Sequence, residues 1–327
     1  MKAYIIRRLA WGIVAICVIT CLNFLIIKMV PGDPVRAMIG DYPVPQDYID
    51  NIRRQYGLDQ PLYIQFWRYI SALVQGDFGY SFSNRHAVLP LILERAKYTL
   101  LLIIPAILFS LVVGIALAAV SARRPNGVVD NSISGIVILG YSVPSFWLGQ
   151  LLVLFFAVLL VWLPAAGMTS LRVRHTGWAL VWDVWLHMIM PLICIITFKL
   201  AIFLRVARAS IIGVANDDFV TTARAKGMSE RRIMWTHILP NAMIPVIAVL
   251  GYQFGHALTS SILVETVFAW PGVGQLFVSA IASRDFPVLQ GILVLATTLV
   301  VLANFIADLL SALVDPRIRR NLGARHG

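Results

Sequence analysis

Long, uninterrupted apolar runs dominate the chain, at 9–30, 99–122, 132–163, 185–206, 244–264 and 288–313. They neither alternate like a half-buried strand nor carry the polar face of an ordinary surface helix. A run of about 20 apolar residues is what a helix needs to cross a hydrocarbon core of about 30 Å. The third run is too long, because about 32 residues make roughly 48 Å of helix at about 1.5 Å per residue. Two half-length crossings would fall short. One helix kinked at Ser142-Val143-Pro144, with its first turns outside the core, fits better. The pattern therefore predicts an all-α, polytopic membrane protein with six transmembrane helices.

Composition agrees. Of 327 residues, 59% are hydrophobic and 13% charged, and the mean hydropathy is +0.80. Soluble domains carry about 25% charged residues, and disordered chains are poor in apolar ones, so both classes are excluded. The net charge of +11 would suggest nucleic acid in a soluble protein. Here the basic residues flank the spans instead, and no nucleic-acid partner is expected. With a single crossing in the third run, the segments 1–8, 123–131, 205–241 and 314–327 share one face, which holds fifteen Lys/Arg and, counting Asp308 near the end of the last span, six Asp/Glu. The other face holds ten of each. The positive-inside rule puts the basic face, and with it both termini, in the cytoplasm. The first run is basic at its start, like a signal peptide. It lacks a small-residue cleavage site before Pro31-Gly32-Asp33-Pro34, so it reads as a retained first helix.

Between the first two spans, 31–98 is expected to form a small helical extracytoplasmic segment. Pro45 suits a helix start and Gly57 a stop. A second helix runs from Pro61 to before Gly76, with Leu62, Phe66, Tyr69, Ile70 and Leu73 on one face. Trp67 and the tyrosines suit headgroup depth, and packing against the transmembrane core fits equally well. Gly76-Asp77-Phe78-Gly79 reads as a turn.

Candidate chemistry is sparse. The chain has no G-x-x-x-x-G-K-[ST], H-E-x-x-H or G-x-S-x-G, and its six histidines lack metal-ligand spacing. Cys17, Cys21 and Cys194 lie inside apolar runs and read as small hydrophobes. No catalytic, cofactor-binding or metal-binding residue is expected. Lys199, near the cytoplasmic end of its span, is expected to snorkel. Glu265 and Asp308 sit toward span ends, too few carboxylates for an ion-coupled secondary transporter, the rival class.

The cytoplasmic stretch 216–240 is longer and stickier than a connector. It reads as two short helices, the first capped by Asn216 or Asp217, ended by Gly227 in the left-handed position, and followed by a second capped by Ser229. Phe219, Ala223, Ile233, Met234 and Trp235 supply an apolar side, and Asp218, Thr222, Arg224, Lys226, Arg231 and Arg232 surround it. A helix–glycine–helix of this kind suits docking of a cytoplasmic partner.

This stretch resembles the coupling ("EAA") loop of the permease subunits of binding-protein-dependent ABC importers. Thr221-Thr222-Ala223 stand at the family's Glu-Ala-Ala positions, so the glutamate is absent. Thr222-Ala223-Arg224-Ala225-Lys226-Gly227 is similar to the peptide-transport branch. Leu239-Pro240 matches the pattern's end, and His237 replaces its usual isoleucine. The resemblance continues in order along the chain: Ile6-Arg7-Arg8-Leu9, Val30-Pro31-Gly32-Asp33-Pro34, Tyr56-Gly57-Leu58-Asp59-Gln60-Pro61-Leu62, Gly76-Asp77-Phe78-Gly79, then Glu265 to Gly274, Arg284-Asp285-Phe286-Pro287 and Asp315-Pro316-Arg317-Ile318-Arg319.

The resemblance implies one of two different permease subunits in the bacterial inner membrane. Two separate ATPase subunits would bind ATP and Mg, and an extracytoplasmic binding protein would deliver cargo. The cargo implied is a di- or oligopeptide, with nickel chelate, glutathione or an opine-like compound as the alternative. It implies an ATPase-coupling loop within 207–240, whose apolar face, through Phe219 and Ile233, would fill a groove in the ATPase. The organisation expected is 1–30, the cytoplasmic N-terminus and first helix; 31–98, the extracytoplasmic segment; 99–313, the core; and 314–327, a cytoplasmic tail. Gly251 and Gly255 form a small-x-x-x-small pair suited to close helix crossing. Trp270, Pro271, Gly272 and Gly274 form a turn at the outer mouth, able to gate the path, contact the binding protein or, more simply, serve as a structural re-entrant turn.

Overall fold

The computed structural model describes residues 2–29, 44–55, 57–81 and 83–314. The motif at 30–34, Tyr56 and the tail beyond 314 lie outside them. Among the described residues, five helices are long and apolar enough to cross a membrane, or six if one sharply bent pair counts as a single span.

α1 (Lys2–Met29) is apolar on every side, with no polar stripe, and leans on α13 (Phe286–Val314). Beyond it, α2 (Gln46–Gln55) and α3 (Leu62–Val74) fall where Pro45, Gly57 and Pro61 predict. α3 docks on the end of α1: the Phe24 ring lies 5.3 Å from Phe66 and 5.6 Å from Tyr69, and Lys28 donates to Gln65 at 2.5 Å. Gln65 in turn donates to the carbonyls of Leu58 and Gln60. Trp67 and Tyr63, on the opposite side, are exposed. The helix thus satisfies the packing reading while keeping an aromatic flank outward.

The Tyr69 hydroxyl is buried without a partner, and burial pushes its pKa up to about 12. Tyr69→Phe keeps the ring contact and removes an unsatisfied polar group. It is expected to raise stability by about 1 kcal/mol, read as a higher unfolding midpoint of the detergent-purified protein.

A two-residue ribbon follows, β1 (Tyr80–Ser81) against β2 (His86–Ala87), antiparallel. The Ser81 hydroxyl donates to Asp285 at 2.6 Å and ties the ribbon to the start of α13. α4 (Val88–Ser121) starts eleven residues before the predicted span, so the charged segment Glu94–Lys97 extends the helix instead of preceding it. Its main partner is α7 (Trp178–Ala215), which buries Phe203 so tightly that a Cβ on Gly114 would stand 2.8 Å from the Phe203 Cβ. α7 has 38 residues, about 57 Å at 1.5 Å per residue, and so extends well past a 30 Å core.

The third run departs most from expectation. α5 (Val128–Ser142) and α6 (Ser145–Leu152, continued by a π-helical stretch Val153–Leu159) meet at 91°. The break falls at Val143-Pro144, where proline lacks an N–H to donate. It is a right-angle turn, not a kink. The fifth run also differs. A continuous helix, α9 (Glu230–Ile233), a π turn (Met234–Ile238) and α10 (Leu239–Gly255), ends nine residues before the predicted stop at 264. Short α11 (Ile262–Val267) and α12 (Val273–Ala282) follow.

The main core gathers Leu102, Ile103, Ile107, Phe203, Ile211, Ile238, Val246 and Trp270 from α4, α7, α10 and the α11–α12 turn. Large apolar side chains such as Trp11, Phe109, Val112, Ile136 and Leu139 point outward. On a water-facing surface so many would form sticky patches; in lipid they need no cover.

Candidate functional site: a braced helix corner and a half-open cavity

α7 ends at Ala215, and α8 (Asp218–Ala225) turns back at once. Asp217 holds the N-cap position of α8 and Ser229 that of α9, but neither side chain makes a capping bond. The backbone does the work at the other end of α8. Gly227 has φ of +78°, its N–H donates to the Arg224 carbonyl at 2.9 Å, and the Met228 N–H donates to the Ala223 carbonyl at 3.3 Å. This pair of bonds is a Schellman motif, which closes a helix through one left-handed residue. Arg224 locks the corner: Nε and Nη2 donate to the two Glu230 carboxylate oxygens at 2.8 and 3.3 Å, and Nη1 to the Ala215 carbonyl at 3.4 Å. The pair is exposed, so its contribution to stability is small, at most about 1 kcal/mol. Its geometric effect is to join α7, α8 and α9.

Asp218, Phe219, Thr222, Arg224, Lys226, Gly227 and Arg231 all lie on the exposed side of this unit. Phe219 is 41% and Trp235 62% exposed. Ala223 and Ile233 are not part of that face. Ile233 is fully buried and, with Val220, joins the main core. The expectation that Ile233 fills a partner's groove is corrected: one apolar side of each short helix faces its own bundle, and Phe219 and Trp235 are the exposed apolar groups. Because α9 runs unbroken into α10, the corner is an extension of a membrane helix.

The glycines Gly251 and Gly255 face α13. A Cβ at Gly251 would stand 2.1 Å from the Ala307 Cβ, and one at Gly255 3.2 Å from that of Ala303. At the opposite end, Trp270 is fully buried and its Nε1 donates to the Tyr98 carbonyl at 2.9 Å. Gly272 and Gly274 are buried, and Pro271 is half-buried, its carbonyl accepting from Arg95 at 3.3 Å. This turn is therefore a packed structural corner; Trp270, Gly272 and Gly274 offer no surface to a binding protein.

The corner is organised by Glu265, which the sequence places merely near a span end. Glu265 is fully buried and accepts from Thr99 at 2.8 Å, Ser261 at 2.6 Å, and the Gly274 and Gln275 amides at 2.7 and 3.3 Å. Thr99 in turn accepts from the Val273 amide. Only glycine fits beside this carboxylate, since a Cβ on Gly272 would lie 2.3 Å from its Oε2.

A second polar knot joins the other ends of α4, α5 and α7. Arg208 donates through Nε at 2.6 Å and Nη2 at 2.5 Å to the two oxygens of Asp130. Asp130 also accepts from the Ser121 hydroxyl and, at 2.7 Å, from the Asn126 amide. Sequence reading counted both charges as topological only. Nothing local marks them, because the partners are 78 positions apart.

Lys199 also departs from expectation. It is 3% exposed and does not snorkel; it lines a partly open cavity of about 420 Å3 between α5–α6, α7 and the α10–α11 region. Among the described residues no three His, Cys, Asp or Glu side chains gather as metal ligands.

A broken helix pair, a helix–glycine–helix corner continuous with a long apolar helix and a half-open cavity characterise this polytopic helical bundle. The fold is similar to a chain in an inward-facing structure of the MetNI methionine ABC transporter, with a TM-score of 0.54 at 18% identity, covering 69% of this chain and 96% of that one. The chain belongs to the family of binding-protein-dependent transport system inner membrane components, whose model matches residues 110–320, with the family's N-terminal model matching 1–103. Among its relatives, the glutathione transport system permease protein GsiC of Escherichia coli K12 is 40% identical. The di/tripeptide permease DppB of Pseudomonas aeruginosa UCBPP-PA14 is 38% identical and the oligopeptide permease AppB of Bacillus subtilis 168 is 37% identical. Each alignment covers at least 97% of this chain and 99% of the relative.

Proposed function

We propose that this chain is a membrane-spanning permease subunit of an ATP-driven importer for peptides, a class that includes glutathione. On this reading six spans, with α5 and α6 as one broken span, leave both termini in the cytoplasm of a bacterial inner membrane. Residues 31–98 face outward. A second, homologous permease completes the path. Two ATPases bind ATP and Mg and dock on the lever, and a binding protein delivers cargo from outside.

The observation that carries this reading is the stiff corner around Gly227. α7 enters it, α9–α10 leaves it without a break, and Arg224 braces it. A partner that pushes on Phe219 moves two membrane helices together, which is how a stroke in the cytoplasm can switch a bundle between two packings. The fifteen basic residues of that face and the peptide and glutathione permeases among the relatives support the orientation and the cargo class.

Purification of the tagged chain from its own host tests the proposal. The wild type should retain a second permease and two ATPases. Phe219→Asp, which puts a charge at the centre of the exposed apolar face, should lose the ATPases at least about tenfold, a change of about 1.4 kcal/mol, and keep the second permease. ATPase recovery equal to wild type would remove Phe219 from the interface, and a chain purified with no ATPase would sink the importer reading.

A further inference from the structure

Resting on the importer reading, we propose that the cavity lined by Lys199 and Gln253 is a cargo subsite that holds a carboxylate during passage. Lys199 and Gln253 are 3% and 4% exposed, and both line the cavity. Lys199 makes no hydrogen bond or ion pair with any described residue, and Gln253 Nε2 is a buried donor with no acceptor. Buried ammonium and amide donors normally have partners, because leaving them bare costs the desolvation of the group. Two unpartnered donors on residues that line one space fit an acceptor that comes and goes.

The charge of that acceptor follows from what surrounds it. Among the described residues no Asp or Glu lines the cavity. The carboxylate next along the chain from its wall, Glu265, already accepts from Thr99, Ser261, Gly274 and Gln275. A lone ammonium repels a free cation and balances one negative charge. Lysine and a side-chain amide, with the Ser260 hydroxyl nearby, can satisfy the two oxygens of a carboxylate. A phosphate dianion would be left half-neutralised. Much of the remaining wall is aromatic or aliphatic: Tyr141 stacks on Phe198 at 4.5 Å, Tyr252 lies 4.4 Å from His256, and Ile195, Ile202 and Val264 add to it. These rings offer broad, unselective surface for the side chains of a peptide whose carboxylate Lys199 holds. Since intramembrane charge is kept for function, a passing carboxylate explains why a lysine lies here.

The experiment uses the full transporter in liposomes, with Cys17, Cys21 and Cys194 of this chain replaced by alanine and Ser260→Cys added. A negatively charged methanethiosulfonate should modify the new thiol at least about tenfold faster than a positively charged one, after correction for their rates with a free thiol, as local fields concentrate counter-ions. Lys199→Met should abolish that preference. In the otherwise unaltered transporter, uptake of a mixed tripeptide pool should fall at least about tenfold in Lys199→Met, the loss of about 1.4 kcal/mol of interaction, and Lys199→Arg should restore most of it with assembly unchanged in both. Equal reagent rates, a preference that survives Lys199→Met, or unchanged uptake in that variant would each overturn the subsite. If the wild type takes up no peptide, the peptide reading fails on its own, and the reagent ratio still decides whether an anion site exists.

Discussion

Gly227→Val is expected to abolish coupled uptake while leaving the chain inserted and assembled. A Cβ at this position would meet nothing within 4 Å, so the substitution introduces no clash. Its effect is conformational. The residue sits at φ of +78°, where a side chain costs roughly 1–2 kcal/mol, and a β-branched one more. The chain can avoid that cost by unwinding the last turn of α8, which releases the bonds from Gly227 to Arg224 and from Met228 to Ala223. A lever loosened at its corner absorbs the partner's stroke. A graded series separates this from loss of a contact: asparagine, which tolerates the left-handed region, should retain most uptake, alanine less, and valine less than about a tenth, equivalent to about 1.4 kcal/mol or more. Uptake and ATP hydrolysis measured together in reconstituted liposomes decide the matter. Hydrolysis should persist in the valine variant as uptake falls, and equal uptake across the series would refute the lever.

How much of this was legible beforehand depends on whether the cause is local. The presence of five to six long apolar helices was, because lipid demands unbroken apolar length, though not where each begins and ends; so was the position of the break at Val143-Pro144. The 91° angle was not. Sequence marks where a helix loses a donor, but neighbouring packing decides how far the chain then turns. Gly227 was legible because its left-handed requirement belongs to one residue. Ile233 was not, since each short helix has two apolar aspects and nothing local says which one meets the bundle. Asp217 and Ser229 hold the expected N-cap positions but make no side-chain capping bond, while the C-terminal end of α8 closes through Gly227 as its sequence requires. Glu265 is not legible because Thr99 is 166 positions away and the nearer donors, Ser261 and the Gly274 and Gln275 amides, converge on it only once the α11–α12 turn has folded. Lys199 was read as snorkelling from its depth along the helix. The direction of its side chain depends on α10 and α5, which only the fold brings near.

Those long-range polar contacts also place a second large effect. Removing Arg208 alone should destabilise the chain by about 3–5 kcal/mol, because Asp130 would remain buried with its charge uncompensated. Ser121 and the Asn126 amide still donate to it, but neither carries charge. Asp130→Asn should cost less: the amide oxygen keeps one donor, and the guanidinium, a quarter exposed at 27%, can reach water. The double variant Asp130→Leu/Arg208→Met is the informative one. If the pair mainly avoids an orphaned charge, replacing both partners by apolar groups should recover most of the loss, as paired burial and apolar packing are close in free energy. If it instead orients α4, α5 and α7 for transport, stability should recover and uptake should not. Unfolding midpoints of the purified complex, read beside uptake, separate these outcomes. An Arg208→Met chain as stable as wild type would show that water or lipid headgroups reach Asp130, and that the knot does not bind the three helices together.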